Sequence, residues 1–134
     1  MSLTNEERQA VVKHRLEKSH KAFSQVKNIV PMGYWEIVAN RLYYASFYAV
    51  SALLINKGLV AQTHHGVMHL FGLHFIKTGL VENRYGALYG RLFSLRQTGD
   101  YSDTFDLTEE DVKPHMQELV DELEKQTGYR MIGN

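Results

Sequence analysis

The chain of 134 residues has no cysteine, only two prolines and a single tryptophan, and its 15 basic side chains are offset by 15 acidic ones. Each shortage excludes something. Without cysteine there are no disulfides, no thiolate zinc or iron–sulfur sites and no cysteine nucleophile. Two prolines leave few forced breaks in a helical chain. The longest apolar stretch, Tyr43 to Ile55, contains Ser46 and Ser51 and is shorter than the ~20 residues a membrane span needs. No basic segment followed by an apolar run opens the chain, so the expectation is a cytoplasmic protein with no membrane association. A formal charge of zero argues against a protein that coats nucleic acid by bulk electrostatics.

What is present is ordinary globular composition, with 44% hydrophobic and 22% charged residues. The length fits one domain, residues 1–134, able to bury a core without staples. The apolar residues recur with helical period. Thr4 and Glu7 have the spacing of a capping box. Val12, Leu16, Phe23, Val26 and Val30 then form one stripe up to Pro31. A second helix is predicted from near Tyr34 to Gly58, with Ile37, Tyr44, Phe47, Val50 and Leu54 inward; its apolar circumference predicts a central position. Thr63 caps a third helix ending at Gly79, with stripe Val67, Leu70, Phe71, His74 and Phe75. A fourth helix runs from about Asn83 to Thr98, with Leu88, Leu92 and Leu95 inward and Gly99 as its stop. Thr108 caps a fifth, with Val112, Met116, Leu119 and Leu123 inward and Pro114 distorting its start. The predicted fold is all-α: an up-and-down four-helix bundle with an additional short helix.

Counting charge by segment reverses the impression left by the total. Residues 1–99 carry a net +7 and residues 100–134 a net −7. A local basic surface is therefore compatible with a neutral chain.

Three groups of residues are candidates for chemistry. His64, His65, His69 and His74 lie on one helix, and His65 and His69 are spaced to share a face, as two metal ligands would. A metal-binding bundle would need further ligands from facing helices, for instance His14, His20 or His115, and no metal or cofactor is assigned. The second group is Arg41 with Tyr44, Ala45 and Tyr48 on one face of the second helix. A cation on an apolar helix calls for a partner, with Asp100 the candidate, or for an anionic ligand: arginine beside tyrosine faces suits a phosphate and a stacked base. The third is Arg96, followed by Asp100 and Tyr101.

Four segments together, Arg41-Leu42-Tyr43-Tyr44-Ala45-Ser46-Phe47-Tyr48-Ala49, Thr63-His64-His65-Gly66-Val67, Phe71 to Gly79, and Leu95-Arg96 to Asp100-Tyr101, resemble the HEPN superfamily. The likeness is to its small stand-alone bacterial and archaeal members and extends over about residues 5–126. The resemblance implies a helical bundle that dimerises and binds RNA or a nucleotide. It also implies a minimal nucleotidyltransferase as partner in a toxin–antitoxin pair. Many members are metal-independent ribonucleases whose motif is an Arg followed four to six residues later by His. Arg96 matches the Arg, but the place of the His is taken by Tyr101. Tyrosine, with an ordinary pKa of ~10, is a poor base at neutral pH. Binding is thus favoured over cleavage, with a degenerate endoribonuclease as the alternative. The expected ligand site is Arg96 and Arg41 on phosphate, Asp100 orienting, Tyr101 and Tyr44 stacking or hydrogen-bonding, and His65 at the edge.

Overall fold

The computed structural model describes residues 3–101 and 108–114 and positions 118, 122 and 125, with no account of the side chains at 98–101 and 111. Among the described residues the fold is all-α. Helix α1 (Asn5–Ile29) is followed by a 3₁₀ turn, Val30–Met32, and by α2 (Trp35–Asn56). Then come α3 (His64–Phe71), a π-helical turn Gly72–Ile76, α4 (Asn83–Tyr101) and α5 (Glu109–Val112).

Local chemistry sets most of these bounds. Both halves of the capping box at the start of α1 are made: the Glu7 amide donates to Thr4 Oγ1 at 3.1 Å and the Thr4 amide to Glu7 Oε1 at 2.9 Å. The helix ends where Pro31 enters the 3₁₀ turn and Gly33 turns left-handed at φ 75°. At the end of α2 the Leu59 amide reaches back to the Leu54 carbonyl and Gly58 to Ile55, each at 2.9 Å, with Gly58 at φ 78°. That is the double bond of a Schellman cap. Thr63 caps α3 through the Gly66 amide at 2.9 Å.

Helix α2 touches each of the other helices, as its apolar circumference requires. Cross-links with α1 fix an antiparallel register: Gln9 to Asn56, Ser19 to the Ala45 carbonyl and Arg41 to Gln25. The Ser19 hydroxyl donates at 2.6 Å in a fully buried setting, which satisfies a polar group where small residues bring the helices together. The core gathers Phe23 and Val26 of α1, Val38, Leu42, Tyr43 and Leu54 of α2, Val67 and Phe71 of α3, and Leu88, Leu92 and Leu95 of α4. Val112 of α5 completes it.

Three expectations are corrected. Ile37 is 47% exposed, because it lies on the arc Ile37–Arg41–Tyr44–Tyr48, which α2 leaves exposed or half-buried, while Val38, Leu42, Tyr43, Ala45, Ala49 and Val50 are buried. The third helix does not stay α-helical to Gly79: from Gly72 it widens into a π turn, closed by the Lys77 amide on the Gly72 carbonyl at 2.8 Å. Helix α4 does not stop at Gly99 but continues to Tyr101, so Asp100 follows Arg96 by one turn of the same helix. The fifth helix is distorted at its start as expected: α5 gives way to a turn at Lys113, and the chain is helical again at Pro114 and at positions 118, 122 and 125. Met116, Leu119, Leu123 and His115 lie outside the described residues.

Candidate functional site

The open arc of α2 is where the cations gather. The Arg41 guanidinium lies over the Tyr44 ring at 5.2 Å. The Arg96 guanidinium, from α4, lies over the same ring at 5.5 Å and over the Tyr43 ring at 5.5 Å. Tyr44 in turn meets Tyr48 at 5.9 Å, and Lys18 of α1 places its Nζ 5.3 Å above the Tyr48 ring. Three cations from three helices thus converge on two adjacent tyrosine faces, each held by the ring quadrupole. The bundle explains the meeting. Residues 37, 41, 44 and 48 are one side of α2, and that side emerges between α1 and α4.

Arg41 is anchored by neutral groups. Its Nη2 and Nε donate to Asn40 Oδ1 at 2.8 and 3.1 Å, and its Nη1 to Gln25 Oε1 at 3.3 Å. These bonds orient the guanidinium without neutralising it. The side chain of Asp100, the partner expected from sequence, lies outside the described residues, as does that of Tyr101. Of the expected site residues, Arg96 and Arg41 lie over the Tyr44 ring, and Lys18 adjoins them over Tyr48.

An imidazole completes the cluster, and it belongs to His64 instead of His65. His64 Nδ1 and the Tyr43 hydroxyl share a hydrogen bond of 2.7 Å. The His64 ring packs on Phe47 at 4.5 Å and on Tyr43 and Tyr44 at 5.7 and 5.8 Å. His65, by contrast, is exposed and packs edgewise on Phe93 at 4.9 Å. The phase of α3 decides this: His64 precedes the buried Val67 and Phe71 by three and seven residues, whereas His65 shares the outer side with exposed His69. The histidines are thus divided: His64 is half-buried among aromatic rings, His65 and His69 are exposed, and His74 lies beyond α3 in the π turn. Among the described residues no three His, Asp or Glu side chains come together as a metal would require.

The electrostatics follow from burial. Desolvation pushes the Tyr43 phenol up, so it stays protonated. Desolvation first, then the Arg96 charge and then His65, hold the His64 imidazole below its ordinary value. At neutral pH the pair is a neutral phenol beside a neutral imidazole. The sign of the consequence is definite. The unfolded chain takes up the His64 proton near its ordinary pKa of ~6.5, before the folded chain does, so stability present above that pH is lost as pH falls through it. The denaturant midpoint of the wild type is expected to fall more between pH 7.5 and 5.5 than that of His64→Gln, measured by urea unfolding. Equal falls would show that His64 does not titrate as described.

Helical bundle, arginine pair on an aromatic face and Arg96 ahead of an Asp-Tyr step define the class. The HEPN domain pattern matches residues 12–125, and the chain belongs to the HEPN domain family. It is 34% identical over 122 residues to a UPF0332 protein of Thermotoga maritima, covering 89% of this chain and 92% of that one. It is 30% identical over 127 residues to a Methanocaldococcus jannaschii protein named "Putative toxin MJ0605", covering 92% and 94%. A second protein of that organism, "Putative toxin MJ0142", is 30% identical over 98 residues, covering 73% of this chain and 67% of the relative. No described helix is long and apolar enough to cross a membrane.

Proposed function

We propose that this HEPN protein binds RNA or a nucleotide at the α1–α2–α4 surface, gripping phosphate with Arg96 and Arg41 and stacking a base on the Tyr44–Tyr48 faces. The observation that carries the reading is the convergence of Arg41 and Arg96 on one tyrosine ring. Guanidinium forks suit phosphate oxygens, and tyrosine faces accept any base, which is the chemistry of single-strand binding. Lys18 extends the track by one charge. Basic residues over 1–99 supply the surrounding field. In the cell the protein acts as a homodimer in the cytoplasm, in a toxin–antitoxin-like pair with a minimal nucleotidyltransferase. The family membership and the two relatives named as toxins support that setting.

The test is fluorescence anisotropy of a labelled single-stranded RNA against rising salt. Affinity is expected to fall steeply, with a slope of log K on log salt of about −0.7 for each phosphate engaged. A protein that retains no RNA and no AMP at low salt would not have this function.

His64 favours a second reading, a degenerate metal-independent endoribonuclease. A neutral imidazole near Arg96 is suited to take the proton of a ribose 2′-hydroxyl. Acting as base through Nε2 requires the tautomer in which Nδ1–H donates to Tyr43. RNA cleavage that persists with chelator and disappears in His64→Gln would establish this reading over binding alone.

A further inference from the structure

A cavity lies where the start of α1 meets the end of α2. On α1 the seam with α2 runs through residues 8, 12, 15, 19, 22 and 26, spaced alternately by four and three. Its later members, Ser19, Ala22 and Val26, are at most 2% exposed against α2. Its earlier members include Arg8 and Arg15, at the same seven-residue position as Ala22. Both are half-buried, and neither has an ion pair among the described residues. Cations occupy seam positions where an apolar residue would close the helices together.

The seam accordingly opens there. The cavity, of about 240 Å³, lies between α1 and the end of α2, lined by the two arginines, by Ser51, Leu54 and Leu59, and by Val60 on the loop to α3. Gln9 and Asn56 tie the two helices alongside it at 3.1 Å. The Schellman turn at Gly58 shapes its far wall. Half-buried cations gain most from an anion that shares their low-dielectric setting. The backbones of residues seven apart on a helix are separated by about 10 Å along its axis, a span that two long arginine side chains can close around one anionic head. The remainder of the wall is aliphatic, and no aromatic ring lines the cavity. A nucleobase would find no stacking surface, whereas an alkyl chain would find leucine and valine.

We infer that this cavity is a binding site for a small organic anion with a short aliphatic body, its carboxylate or phosphate held between Arg8 and Arg15 and its chain against Leu54 and Leu59. The site is separate from the Arg96 surface. It does not depend on the proposed RNA function.

Octanoate is the probe. Titrating it into the ¹⁵N-labelled protein is expected to give saturable amide shifts at Arg8, Ser51, Gly58 and Leu59. Octylamine, with the same chain and the opposite charge, is expected to give none. Arg15→Gln and Arg8→Gln are each expected to weaken octanoate at least tenfold, while Arg91→Gln, which removes an exposed cation on α4, changes nothing. Amide spectra of the variants confirm that they fold. Octyl phosphate should bind alongside octanoate. Octylamine binding as well as octanoate, AMP producing the same shifts more tightly, or octanoate binding undiminished in the Arg8→Gln/Arg15→Gln double variant would each overturn the assignment.

Discussion

Tyr43→Ala is expected to destabilise the protein by about 3–5 kcal/mol, the range for removing a large buried aromatic ring. Tyr43 has no exposed surface. Its ring stacks on Tyr89 at 5.8 Å with an 8° tilt, meets Phe93 edgewise at 5.7 Å and adjoins Tyr44 at 5.2 Å. These neighbours belong to two helices, so the void left by truncation cannot be filled by the movement of one side chain. Against a total stability of about 5–15 kcal/mol, a loss of that size removes a large fraction. Thermal unfolding should move down by at least about 10 °C. Tyr43→Phe separates the ring from its hydroxyl. It keeps the packing, removes the bond to His64 and is expected to cost about 1 kcal/mol. If Tyr43→Ala unfolds within a degree or two of the wild type, the packing described around this ring is not the core of the bundle.

Arg96→Ala is expected to weaken RNA or AMP binding about 10- to 100-fold, corresponding to the roughly 1.5–3 kcal/mol of a charge-assisted hydrogen bond to phosphate. The salt slope should become shallower by about 0.7 as one phosphate contact is lost. Stability should change less than in Tyr43→Ala, because Arg96 is half-buried whereas Tyr43 has no exposed surface. Tyr44→Ala should weaken RNA by about 1–3 kcal/mol through lost stacking, with the salt slope unchanged. The two variants therefore separate charge from stacking at one site. Affinity unaltered by Arg96→Ala would place the phosphate contact elsewhere.

Much of the bundle can be read from the sequence because its helix signals are local. Thr4 with Glu7, Pro31, Gly58 and Thr63 each act within one turn of themselves, and each is found in its expected role. Gly99 fails as a stop signal because a glycine permits a left-handed cap without enforcing it, and α4 runs on to Tyr101. Ile37 fails because α2 is apolar almost all round. Its period does not say which arc stays open; the positions of α1 and α4 do. The same arc holds Arg41 and Tyr44, so the site lies on the side of α2 that periodicity leaves undetermined.

Within the site, Arg41 is legible as a cation on an apolar helix and Arg96 from the family motif with Asp100 and Tyr101. Their convergence on Tyr44 is a tertiary fact. Lys18 carries no distinguishing signal: it is one lysine on an exposed stretch of α1 and gains meaning only from the Tyr48 ring beneath it. His64 was within reach of the sequence. Thr63 sets the phase of α3, and counting three and seven residues on from His64 arrives at Val67 and Phe71, both buried. Adjacent residues on a helix point about 100° apart, which is enough to turn His65 out to solvent while His64 packs on the rings of α2.

The proposed function requires Arg41 and Arg96 to serve one ligand site around Tyr44. A double-mutant cycle on RNA affinity, using Arg41→Ala, Arg96→Ala and the two together, tests this most directly. Residues that share a partner couple, and a coupling above about 0.5 kcal/mol is the predicted result. Losses that simply add, to within about 0.3 kcal/mol, would place the two arginines in independent sites and contradict the account.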